Sequence, residues 1–108
     1  MADRYISHGK PLTDEEREVL TVLMEEAAEV IQAGSKILRF GKEETPRREG
    51  VKTNVVVFSE EIGDLNTMMD LATELGLIDI VAQIEGEHRK TERFDKYRQS
   101  EPSGVIGP

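Results

Sequence analysis

Apolar residues recur at intervals of three and four along two long stretches of this chain, the spacing of helices with one dry side. The first stretch opens at "TDEE", where Thr13 as N-cap and Glu16 three residues on form a capping box with acids in the first turn. It runs to Phe40 and stops at Gly41, with Lys36 and Arg39 in its last turns, which predicts a helix over 13–40. Residues 41–53, "GKEETPRREGVKT", hold two glycines, Pro46 and many charges and read as an exposed loop. A second helix is expected over 54–76, capped at Thr53 or Asn54, ended by Gly76 and including the strand-like run Val55–Val57. Asp79 caps a third helix over 79–97. Residues 1–12, with Gly9 and Pro11, read as an N-terminal arm pinned to the body by Ile6 and Leu12, and 98–108 as a flexible tail. No strand pattern competes, so the expected fold class is all-α, a long-helix bundle in which residues 1–108 form a single domain.

At about 100° per residue, Val19, Leu23, Ala27, Val30, Ile31, Ala33, Ile37 and Leu38 share one arc of the first helix, with Val22 nearby. Glu26 falls inside that arc, Glu29 on its edge and Glu25 just beyond it. On the second helix, Val57, Phe58, Ile62, Leu65, Met68, Met69, Leu71, Ala72 and Leu75 share an arc that also holds Glu61 and Asp64. Each helix therefore aims two carboxylates, at i and i+3, toward the surface expected to pack on the other helix. Four carboxylates in one interior cannot all stay ionised unaided, because desolvation and mutual repulsion both oppose the charged form. Raised pKa values or bound cations resolve the conflict. Oxygen donors without cysteine suit a hard cation, Mg²⁺ or Mn²⁺, which in turn clamps a polyphosphate and activates water. The competing reading is a solvated acidic face; Glu61, between Phe58 and Leu65 in the middle of its arc, fits that reading least.

Charge narrows the partners. A net charge of −8, from 22 acidic and 14 basic residues, argues against broad electrostatic binding to nucleic acid or to an anionic membrane. No apolar run approaches the ~20 residues that cross a bilayer. The opening "MADRYISHGK" lacks an apolar signal core and there are no cysteines, so a cytoplasmic location is expected. Positive charge gathers on the third helix, where Lys90, Arg93 and Tyr97 align at i, i+3 and i+7, and Lys36 lies near Glu25 and Glu29 in angle. These bases are candidates to grip phosphate oxygens, against the plainer reading of a solvated basic face. Phe58, Met68 and Tyr97 are candidates to stack on a base, or plain core. Val55, Val56 and Val57 point in three directions, more apolar surface than three helices bury among themselves. Four-helix bundles completed by oligomerisation, as a homodimer or a homotetramer (dimer of dimers), answer that excess. Gly34 and Gly63 are candidate sites of close helix crossing.

The pair "EEAAE" (Glu25–Glu29) and "EIGD" (Glu61–Asp64), each on a long helix and followed by a basic third helix, resembles the MazG-like all-α nucleoside triphosphate pyrophosphohydrolases over roughly residues 17–97. The resemblance implies hydrolysis of a ribo- or deoxyribonucleoside triphosphate between the α and β phosphorus atoms, giving the monophosphate and pyrophosphate. It assigns Mg²⁺ to Glu26, Glu29, Glu61 and Asp64, and makes Glu25 a general-base or water-orienting candidate. Lys90 and Arg93 correspond to the downstream basic residues. The spacer between the acidic motifs is longer here than is usual in that family, with "GKEETPRREG" as the insertion, so that Arg47, Arg48 and Asn54 have no assigned role. Two other readings compete. "EGEH" places Glu85 and His88 at the E-x-x-H spacing of carboxylate di-iron proteins, which need that unit twice. The other is a non-catalytic helical dimer or interaction module whose acids are surface residues.

Overall fold

The computed structural model describes residues 9–43 and 50–101. Among them the chain is all-α: α1 (Asp14–Phe40), α2 (Asn54–Glu74) and α3 (Ile80–Tyr97). It divides into two compact units, one ending at Leu77 and one beginning at Ile78. Expectations that fall on Ile6, Arg47, Arg48 and residues 102–108 lie outside the described residues.

Each helix begins where its side chains satisfy the free N–H groups. At α1 the Thr13 N–H donates to Glu16 Oε1 (2.8 Å) and the Glu16 N–H to Thr13 Oγ1 (3.1 Å), the reciprocal capping box expected from "TDEE". Gly41 ends the helix at a φ of 91°, its N–H donating to the Ile37 carbonyl at 2.8 Å. Thr53 caps α2 by accepting from the Val56 N–H. Residues 55–57 are helical, as the sequence predicts. The helix ends at Glu74, two residues before the expected boundary. Gly76 adopts a φ of 76°, and the N–H groups of Leu77 and Gly76 turn back to the carbonyls of Ala72 (2.9 Å) and Thr73 (3.0 Å). That double bond is the Schellman closure, which requires the left-handed residue just outside the helix.

α1 and α2 pack antiparallel, so that Gly34 meets Phe58 while the Val55 N–H donates to the Lys42 carbonyl at 3.1 Å. A Cβ placed on Gly34 would lie 3.3 Å from Phe58 Cε1, which explains a glycine inside a helix at this crossing. Gly63 differs from expectation: a Cβ there meets nothing within 4 Å, so it marks no crossing among the described residues of this chain. The buried apolar residues of the pair are Val19, Ala33 and Ala72, surrounded by half-buried Val22, Leu23, Val30, Ile37, Phe58, Ile62, Leu65 and Met69. The predicted arc of α1 is wider than this contact. Ile31 and Leu38, expected inside, are 71% and 89% exposed, and with Met24 they form an uncovered stripe at seven-residue spacing. One partner helix covers only part of an apolar face that broad. Leu12, expected to pin the N-terminal arm, is 41% exposed.

α3 is capped by Asp79, whose carboxylate accepts from the Ala82 N–H at 3.0 Å. The helix has no buried residue; Ile80, Val81, Ile84, Phe94 and Tyr97 are all exposed. No helix among the described residues is long and apolar enough to cross a membrane.

Candidate metal centre between α1 and α2

Antiparallel packing brings the middle of α1 against the middle of α2, and there the two acidic motifs meet. Glu26 comes from α1; Glu61 and Asp64, one turn apart, come from α2. One carboxylate oxygen from each lies within 4.8 Å of the other two. Glu26 and Glu61 are half-buried, whereas Asp64 is exposed. The sequence reading put Asp64 inside the apolar arc. It stands near the rim of that arc, about 60° from Glu61, and the arc is dry only near its centre. The centre is therefore an open groove, with two carboxylates partly withdrawn from water and a third at its lip.

Glu29, expected as a fourth ligand, is exposed and lies outside this set. Its charge still reaches the centre. The Glu61 carboxyl is held above the ordinary glutamate range, first by partial desolvation and then by the negative charges of Asp64, Glu26, Glu29 and Glu60. Glu25 is exposed on the next face of α1, outside the apolar stripe as its angle predicts. Lys36 is exposed too, two turns along α1 from Glu29.

Glu60 and Lys52 are participants that the sequence reading passed over. Lys52 Nζ contacts Glu60 Oε2 at 2.7 Å, tying the segment before α2 to the turn that carries Glu61. The eight-residue separation across a helix start hid this pair from any helical periodicity. Asn54, the other N-cap candidate, is the first residue of α2; it donates from Nδ2 to the Gly41 carbonyl at 3.0 Å and so joins the two ends of the 41–53 loop.

On α3, Lys90, Arg93 and Tyr97 line one hollow of about 370 Å³ together with Phe94 and Arg98. Tyr97 is 68% exposed with Lys96 Nζ 5.3 Å from its ring centre, so it is not core. Phe58 is half-buried against Gly34, and Met68 half-buried beside α1; both pack, as the plainer reading has it. Glu85 and His88 are exposed on this single helix.

The donor set fits a hard divalent ion. It is all carboxylate oxygen and comes from two rigid helices. An Mg²⁺ ion at about 2.1 Å from each donor requires oxygens no more than about 4.2 Å apart. The spacing of at most 4.8 Å among the three oxygens is of that order. No family model, no curated protein and no solved structure matches the chain.

Proposed function

We propose that this chain is a metal-dependent nucleoside triphosphate pyrophosphohydrolase, cleaving a ribo- or deoxyribonucleoside triphosphate between the α and β phosphates to the monophosphate and pyrophosphate. The observation that carries the reading is the convergence of Glu26, Glu61 and Asp64 from two helices, in the order that the MazG-like resemblance specifies. Glu26, Glu61 and Asp64 hold Mg²⁺, with Mn²⁺ as a substitute, and Glu29 adds negative charge beside them. When bound, the ion supplies charge neutralisation for the triphosphate oxygens and acidifies water. Glu61 is the residue that most needs it, because its ionised form is disfavoured where it stands. Glu25, exposed one residue before Glu26, orients the attacking water or takes its proton. Lys36, Lys90, Arg93 and Tyr97 are the proposed phosphate and base contacts, on the strength of the resemblance. The working form is a homodimer or homotetramer.

Pyrophosphate release measured over the common NTPs and dNTPs with Mg²⁺ or Mn²⁺ tests this directly. Glu61→Gln and Asp64→Asn are expected to lower turnover by at least about a hundredfold while the helical circular-dichroism signal is unchanged. Retained activity in both variants removes these residues from the mechanism. A non-catalytic helical module is the second reading, favoured by the exposure of Asp64 at the groove's lip. Under it the melting temperature is indifferent to Mg²⁺, whereas the hydrolase reading requires a rise.

A further inference from the structure

A second groove runs between α1 and α2, toward the start of α1 and the end of α2. Val22, Met68, Leu71 and Leu75 form an apolar floor, and Glu15, Glu18 and Glu74 form the rim, around a space of about 310 Å³. Its chemistry asks for an apolar group flanked by positive charge. α2 itself has no basic residue to neutralise that rim.

The chain carries the complement on α3. From Arg89 to Arg98, five basic residues outnumber two acidic ones in a protein whose net charge is −8. Lys90, Phe94 and Arg98 repeat at four-residue spacing along one stripe, with Phe94 half-exposed at 51% and the Arg98 guanidinium 5.0 Å from its ring centre. The two bases sit about 12 Å apart along the helix at 1.5 Å per residue, and the acids of the rim stand on helices whose axes are about 8–10 Å apart. We propose that this groove is the docking site for the Lys90–Phe94–Arg98 stripe of a second copy of the chain, with the Phe94 ring on the apolar floor and the two bases against the glutamates.

Charge complementarity selects a second copy as the occupant, since the acid rim of one chain meets the bases of another. A two-fold pair satisfies both grooves at once, because each copy offers one groove and one stripe. The stripe shares Lys90 with the proposed phosphate contacts, but sedimentation does not read turnover, so failure of the docking and failure of the hydrolase reading are distinguishable.

A charge swap tests it by sedimentation equilibrium at low salt. Glu15→Lys/Glu18→Lys/Glu74→Lys reverses the groove, Lys90→Glu/Arg98→Glu reverses the stripe, and circular dichroism checks that each keeps its helices. Wild type is expected to dimerise, and each reversed variant to associate about tenfold or more weakly, since like charges then face each other. An equimolar mixture of the two variants recovers the dimer, because every groove then meets a stripe of opposite sign. Phe94→Ser, a change at an exposed position, weakens association without loss of helix. A wild type that stays monomeric overturns the proposal. So do variants that dimerise like wild type, a mixture that fails to recover, or a Phe94→Ser protein that associates normally.

Discussion

Glu61 concentrates the conflict between folding and chemistry in one side chain. Its carboxyl is raised above the ordinary range, so between that range and the raised value the native state binds more protons than the unfolded chain. Stability contributed by this group is therefore lost as pH rises through that window. Glu61→Gln removes the loss: in chelator the variant is expected to melt above wild type at pH 7 and level with it at pH 3, where both forms are uncharged. A variant that melts lower at both values contradicts the charge argument. Added Mg²⁺ reverses the order at pH 7, raising the wild-type midpoint and leaving the variant where it was.

At the scale of elements, the glycines of α1 and α2 separate a packing role from a vacant one. Gly63→Ala meets open space inside α2 and is expected to stabilise by about 0.5–1 kcal/mol in urea titration. Gly34→Val drives a branched side chain into the Phe58 ring and is expected to destabilise by about 1–3 kcal/mol. Thr13→Ala removes a reciprocal cap and costs about 1 kcal/mol. Equal effects at the two glycines would remove the distinction. The caps, the start of every helix and the helical state of Val55–Val57 were legible because they are set by neighbours three or four residues away. So was the meeting of Glu26 with Glu61 and Asp64, since both sit on apolar arcs that have to face each other. The depth of each position was not. Ile31, Leu38 and Asp64 all belong to their arcs by angle, yet they lie outside the strip that a single neighbouring helix covers. The roles of Glu60 and Asn54 were hidden for a related reason, as their partners belong to the connection between the helices.

For the molecule as a whole, the absence of any large, fully buried side chain among the described residues sets the terms. A helix of α3's length with no buried residue is marginal alone in water, and α1 leaves its Met24–Ile31–Leu38 stripe uncovered. The thermal midpoint is accordingly expected to rise with protein concentration, as it does when folding is coupled to association; a concentration-independent midpoint would mean that the chain is stable alone. The central claim, that acids from α1 and α2 share one divalent ion, is tested most directly by Mn²⁺ titration followed by electron paramagnetic resonance. Wild type and Glu85→Gln should bind Mn²⁺ alike, with affinity falling about tenfold or more in Glu26→Gln, Glu61→Gln and Asp64→Asn. Equal binding by all five proteins would contradict the account.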